Sequence, residues 1–372
     1  MLLSDVELLR RLVAIDSTSA LSNLPIADEL AAYLEPHAGH IQFLKAPQEE
    51  KANLFVRFGP EPTGDGEGLI LSGHMDAVPA KETTWESDPF TLTERDDRYV
   101  GRGTADMKGF LAVASNAAAA AANLKAPLIL LFTYDEEVGT LGAKQFAESW
   151  DGGPLPKRCV IGEPTSFRPV RAHKGHLKLR ITLTGKSAHS GYPHLGDNAI
   201  EKARPVLDGL VALRRELEGE PTEHRALFAD APYVPLNIAT IRGGTAVNIV
   251  PDRCEIEVGI RLLPGMTAEA MIERVRKAIG DVPCEILSNS PPMLLPETSD
   301  IYQAALPFAN RHGVESVSFA SDAGWLQSMG IECLLFGPGA IEVAHQPNEF
   351  TPKDEFHRAG GVLGELIARF CA

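Results

Sequence analysis

The 372-residue sequence predicts an α/β fold of two domains, one built on a mostly parallel sheet and the other inserted into it. Three observations carry that expectation. Short apolar runs alternate with helical patterns over the first 170 residues, strict two-residue alternation takes over near residue 172, and the first style returns after about residue 288. The length also exceeds what a single hydrophobic core usually serves.

Ser4 and Glu7 form a capping box ahead of Leu8, Leu9, Leu12 and Val13, which recur at helical spacing. GLILSG (68–73), PLILLFTY (127–134) and CVIG (159–162) are continuous apolar runs and read as strands buried on both faces. MKGFLAVASNAAAAAANL (107–124) reads as a long helix, because alanine has the best helix propensity and Asn116 and Asn123 bracket the six alanines. HLKLRITLTG sets Leu177, Leu179, Ile181 and Leu183 on one face and Lys178, Arg180, Thr182 and Thr184 on the other, as an antiparallel strand with one wet face does. A helix over about 197–217, bent at Pro205, leads to strands PLNIATI and RCEIEVGIRL, a helix over 267–279 and strand PCEIL. The order β-α-β-β-α-β is the split-βαβ, ferredoxin-like arrangement, so 172–288 reads as an insert between 1–171 and 289–372. A helix (300–311), a strand (316–319), a further helix, a strand (332–336) and a C-terminal helix (354–370) resume the first domain.

Composition excludes several functions. A formal net charge of −15 argues against nucleic acid and anionic membranes as partners. The start MLLSDVELLRR is too short and too acidic for a signal peptide, and no run approaches the roughly 18 apolar residues of a membrane span. Cys159, Cys254, Cys284, Cys333 and Cys371 lie far apart without a CxxC pair, which points to free thiols in a reducing, cytoplasmic compartment rather than disulfides or a cysteine zinc site. No glycine-rich phosphate loop follows any of the strands.

The strands run into metal-binding chemistry at the carboxyl ends, where open α/β sheets bind ligands. GLILSG leads into His74-Met75-Asp76, PLILLFTY into Asp135-Glu136-Glu137, CVIG into Glu163, and the strand ending at Phe336 leads through GPG to His345. Asp106 precedes the alanine-rich helix in GRGTADMKG. Singly each is an ordinary surface residue, but acids gathered at successive strand ends repel unless a cation lies among them. Imidazole mixed with carboxylate suits zinc, with manganese or cobalt as alternatives. Two histidines and three carboxylates, one bridging, hold two metals roughly 3.5–4 Å apart in two-metal hydrolases. Asp76 is placed to accept the second ring N–H of His74, and one carboxylate of the Glu136-Glu137 pair is left over as a base. Asp322 follows a strand end in SDAG and reads as a helix N-cap, the competing reading being a partner for a cationic substrate side chain.

HMDAVP, GRGTADMKG, DEEVGTLGA, GEPT, GKSAHSGYPHLGDNAI and AHQPNEF resemble, in order, the motifs of the M20 family of zinc aminoacylases and carboxypeptidases, over essentially the whole chain. The resemblance implies two zinc ions (cobalt being the alternative), with Asp106 bridging, Glu137 and His345 completing one site and His74 and Glu163 the other. It implies Glu136 as general base, Asp76 as support for His74, His189 as a group that reaches the partner subunit's site, and Asn248 and Arg261 as substrate-carboxylate residues. Taken without it, His189 reads as a loop histidine, Arg261 as an exposed strand residue and Asn248 as a turn cap. The insert becomes a lid and dimerisation domain, and the chain a homodimer. The implied activity is amide hydrolysis, with N-acetyl-L-ornithine of arginine synthesis the expected substrate. N-succinyl-L,L-diaminopimelate, a dipeptide, or non-catalytic metal-dependent binding are the competing readings.

Overall fold

The computed structural model describes residues 2–47, 50–310 and 315–372. They divide into two compact units, Met1–Arg171 with Leu295–Glu315 and Ser321–Ala372, and Ala172–Leu294 with Ser316–Ala320.

The first unit is built on a six-stranded sheet in the order His40–Lys45, Ala52–Phe58, Leu128–Thr133, Leu69–His74, Arg158–Ile161, Glu332–Leu335. The last four strands run parallel, and the first two pair antiparallel. The sheet is therefore mixed but mostly parallel, as expected, with Ala52–Phe58 as the reversed strand. The four parallel strands were legible in the sequence as short, largely apolar runs, and the other two were not. His40–Lys45 is half-wet, and Ala52–Phe58 carries Asn53 and Arg57 inside its run. Asn53 is nonetheless buried, because its amide donates to Gly142 O (2.9 Å) and its oxygen accepts from Tyr134 N–H (3.3 Å).

Helix Lys108–Ala120 packs on strands Leu69–His74 and Leu128–Thr133, and helices Asp5–Val13 and Lys353–Cys371 pack on it. Ser4 caps Asp5–Val13, its Oγ accepting from Glu7 N–H at 3.2 Å. The alanine-rich helix stops at Ala120, short of the expected 124, and Asn123 takes a left-handed conformation (φ 57°). Among the described residues, helix Asp300–Ala305 gives way to a 3-10 turn (Leu306–Phe308); residue 311 of the expected helix lies outside the described residues.

The second unit holds an antiparallel sheet in the order Leu236–Gly243, Arg253–Ile260, His176–Thr184, Cys284–Ser290. Helices Ala199–Gly219 and Ala268–Ile279 pack on each other. Leu177, Leu179, Ile181 and Leu183 are buried against Leu210, Leu213, Ile256, Val258 and Val275. Pro205 lies inside the first helix, where it can give no N–H to the preceding turn. Thr267 caps the second. Ser316–Val317, expected to resume the first domain, pairs parallel with Ala172–His173 beside Met293–Leu294, within the second unit. A two-residue pairing between segments far apart in sequence leaves no periodic signal. The unit thus runs to Leu294, against the 288 expected from the last apolar strand.

Replacing Ile181, fully buried on the central strand of the second unit, with alanine is expected to cost about 2–5 kcal/mol in urea-monitored unfolding. The exposed-face change Thr182→Ala should cost about 0.5 kcal/mol or less.

Candidate metal-binding site

The parallel register brings the carboxyl ends of four strands to one edge of the first unit's sheet. His74 ends one strand, opposite Thr133 at the end of its neighbour. Glu136 and Glu137 follow the latter, and Glu163 stands two residues beyond Ile161, after Gly162. Gly162 is required there, since a Cβ would lie 1.9 Å from the Phe110 ring. His345 (φ 60°) lies on the loop after strand Glu332–Leu335.

Ligand atoms of His74, Asp106 and Glu163 lie within 4.8 Å of one another, and so do those of Asp106, Glu137 and His345. Asp106 is common to both groups and divides its carboxylate between them. Its Oδ1 is 2.8 Å from His74 Nε2, and its Oδ2 is 3.3 Å from His345 Nε2. His345 Nε2 also lies 2.9 Å from a carboxylate oxygen of Glu137. Nδ1 of His74 is 3.0 Å from the backbone carbonyl of Asp76, so in the neutral ring the proton sits on Nδ1 and the Nε2 lone pair faces Asp106. This differs from the expected partner, because the Asp76 carboxylate stands 3.6 Å from that nitrogen. The carboxylate instead accepts the backbone N–H groups of Glu136 (3.0 Å) and Glu137 (3.3 Å) and the Ser19 hydroxyl (2.7 Å). Asp76 therefore holds the acidic turn itself in place. Lys51 braces the same turn, donating to Asp135 Oδ1 at 2.5 Å and to Ser19 O at 2.7 Å.

Crowded acids make these groups reluctant to ionise together. Burial, and then the charge of Glu163, push the Glu136 carboxyl well above its usual range; burial and the charge of Asp106 do the same to Glu163. Glu137 is raised by burial and by Asp106. Asp106 goes the other way: burial opposes its charge, but hydrogen bonds from His345 and His74 overcome that and lower it. Burial alone would lower His74, yet the Asp106 hydrogen bond and surrounding carboxylates raise it well above normal. His345 is pushed up to about 10 by its bonds to Asp106 and Glu137. Each group offers the mixed imidazole and carboxylate donors that zinc accepts.

Asp322 joins this cluster, which sequence reasoning missed. It precedes helix Ala323–Ser328 as expected, but its side chain makes no cap bond. Its Oδ2 accepts from Thr133 Oγ at 2.6 Å, while its buried Oδ1 has no hydrogen-bond partner among the described residues. Burial pushes its carboxyl up to about 6. The sequence signal available was its place at a strand end, like the other acids.

The remaining candidates belong to the second unit and fall in two places. His189 lies on the short ladder of Ala188–His189 with Ile249–Val250 and Asn248 in the exposed turn just before it, where Ser190 N–H donates to Asn248 O (3.0 Å). His189 Nδ1 accepts from Gly191 N–H at 3.0 Å, so the ring proton of the neutral form is on Nε2. Arg261 instead lines a hollow of about 350 Å³ with His176, Lys178, Asn237 and Glu257 over Gly259. Burial lowers Arg261, and burial with the charges of Arg261 and Lys178 brings His176 down to about 3. An anion entering that hollow meets a cation already partly stripped of water.

Residues 70–369 match the model of peptidase family M20/M25/M40. The chain belongs to peptidase family M20/M25/M40. An acetylornithine deacetylase of Edwardsiella ictaluri is 36% identical, covering 99% of this chain and 98% of the relative. In fold this M20 chain is similar to an M20 family metallo-carboxypeptidase, Sso-CP2, from Sulfolobus solfataricus (TM-score 0.80, 18% identity, 98% and 99% of the two chains covered). It is also similar to the Bacillus subtilis YXEP protein, described as a dinuclear metal-binding peptidase of the M20 family (TM-score 0.68, 16% identity, 98% and 97% covered).

The Asp322 carboxyl gives a pH-dependent test of the crowding in this M20 chain. An acid whose folded pKa is raised from 3.8 to about 6 favours folding least when ionised, so its cost is absent at low pH and grows as pH rises through that window. In excess chelator, the stability of Asp322→Asn relative to the parent should shift in the variant's favour by up to about 3 kcal/mol between about pH 3.5 and pH 7. Urea melts at the two pH values measure it, and a constant difference would show that this carboxyl is not held protonated.

Proposed function

We propose that this chain removes the acetyl group from N-acetyl-L-ornithine, as a two-metal amidohydrolase with zinc, or cobalt in its place. The observation that carries the reading is the division of Asp106 between His74 and His345, with Glu163 and Glu137 completing the two groups. The near full-length similarity to acetylornithine deacetylases supports the substrate.

In this reading His74, Asp106 and Glu163 hold one ion, and Asp106, Glu137 and His345 the other. A pair of such ions supplies Lewis acidity, which draws charge from the amide carbonyl and makes a water molecule a stronger acid. Glu136 takes the proton of the attacking water and returns it to the departing amine. Both halves of that transfer fall to one carboxylate, which is ionised to accept the proton and neutral to give it back. Asp76 keeps Glu136 at its post through the Glu136 N–H. His189, brought by a second copy of the chain, donates Nε2–H to the carbonyl oxygen as negative charge gathers there. Arg261 holds the substrate carboxylate, and Asn248, which lies beside His189, adds its contact from the second copy with it. The second unit then serves as lid and dimerisation element, and the exposed Ile241, Val247 and Ile249 are the apolar residues a second copy would cover. Among the described residues no helix is long and apolar enough to cross a membrane, and a cytoplasmic setting fits the free cysteines.

Purified protein loaded with zinc should turn over N-acetyl-L-ornithine faster than N-succinyl-L,L-diaminopimelate, and a chelator should abolish the rate. Preference for the succinyl substrate would leave the residue roles and change the substrate. Cleavage of dipeptides alone would make the chain a peptidase, and metal binding without turnover of any of them a binding protein.

Glu136→Ala should retain two equivalents of metal and lose about 10²–10⁴-fold in kcat. Titration with zinc alongside initial rates measures both, and a rate near that of the parent would remove Glu136 from the role of base.

A further inference from the structure

Asp106 is aimed by its main chain rather than by anything that grips its carboxylate. Among the described residues, the partners of that carboxylate are the two histidines of the site. Its backbone N–H donates to Glu349 Oε1 at 3.0 Å, and the Ala105 N–H donates to the same oxygen at 3.0 Å. The other oxygen, Oε2, accepts the Gly103 N–H at 3.0 Å and Arg102 Nη1 at 2.7 Å. One carboxylate, 1% exposed, thus gathers four donors from the five residues that end at Asp106. The loop is wound around it. Gly103 takes φ 81° to make the winding, a conformation that favours glycine.

The same segment also delivers His345, four residues before Glu349. Asn348 ties it down, accepting from Glu86 N–H at 2.8 Å and donating to Thr84 O at 3.2 Å. Phe350–Pro352 then pairs antiparallel with Arg98–Val100. One short stretch therefore contributes a histidine to one face of Asp106 and sets the direction of Asp106 itself. A neutral group would do for tying two loops together, and burying a charge beside Asp106 is costly. Four converging donors are what only an ionised carboxylate satisfies in full.

We propose that Glu349 is a positioning residue for the metal centre, setting the Asp106 carboxylate so that its two oxygens serve two cations at once. The proposal rests on the reading of Asp106 as the shared ligand. Glu349→Gln has nearly the same shape but presents an NH₂ group to one pair of donors whichever way the amide is turned. Thr351→Val is the control: it removes a hydrogen bond from Thr351 to Thr104 O between the same two segments and leaves the Glu349 contacts intact.

Cobalt titration of the purified chain, followed by visible absorption, reads the site without reference to turnover. Glu349→Gln is expected to bind cobalt about 10–100-fold more weakly, with an altered absorption spectrum. Its kcat should fall by about the same factor with little change in KM, while Thr351→Val melts lower yet keeps the native spectrum and affinity. Native affinity and spectrum in Glu349→Gln would overturn the proposal. So would an equal loss of affinity in Thr351→Val, which would mark a general loosening. Should Glu349→Gln fail to fold, Glu349→Asp keeps the charge on a shorter stem and is expected to lose about tenfold in affinity, and native binding there would overturn the proposal equally. Asp106→Asn separates the two levels. If it binds cobalt as the parent does, the shared-ligand reading fails; if it loses cobalt while Glu349→Gln does not, that reading stands and the role of Glu349 falls.

Discussion

Repulsion among buried carboxylates is the constraint on which the rest of the first unit depends. Asp76, Asp106, Glu136, Glu137, Glu163 and Asp322 meet at one edge of the sheet, where burial and mutual charge raise most of them. Each is tolerated for a local reason. Asp76 is surrounded by N–H and O–H donors, Asp106 by two imidazoles, and Asp322 leans on one hydroxyl, its other oxygen unpartnered among the described residues. A protein built for stability alone has no use for this arrangement, and cations among the oxygens would remove much of its cost.

The scaffold meets that constraint by separating rigidity from chemistry. Apolar strands buried on both faces supply fixed points at their carboxyl ends, and short loops present the acids from there. Behind the loops stands a second layer of polar contacts, comprising Asp76 under the Glu136-Glu137 turn, Lys51 against Asp135 and Glu349 inside the Asp106 loop. These contacts orient ligands without touching what the ligands hold. The second unit is organised on another principle, an alternating antiparallel sheet whose dry face makes its core. Its wet face carries the hollow at Arg261, and its short ladder, with the turn just before it, carries His189 and Asn248.

Local sequence determined a good deal. Continuous apolar runs identified three of the four parallel strands, strict alternation identified Leu177, Leu179, Ile181 and Leu183 as one buried face, and Ser4 marked a helix start. Those signals are written within a few residues, because burial on a strand or helix face sets the residue pattern directly. His74, Glu137, Glu163 and His345 were marked by their positions at or beyond strand ends and Asp106 by its place ahead of the alanine-rich helix, while the sharing of Asp106 between two groups was implied by the family resemblance. What only the tertiary structure decided were relations between distant segments: the antiparallel strands His40–Lys45 and Ala52–Phe58, and the pairing of Ser316–Val317 within the second unit. It also decided that Asp76 uses its carbonyl on His74 and its carboxylate on the acidic turn, that Asp322 faces Thr133 rather than its own helix, and that Glu349 sits inside the Asp106 loop. A hydrogen bond between residues 243 positions apart leaves no local pattern, since its geometry exists only once the chain between them has folded.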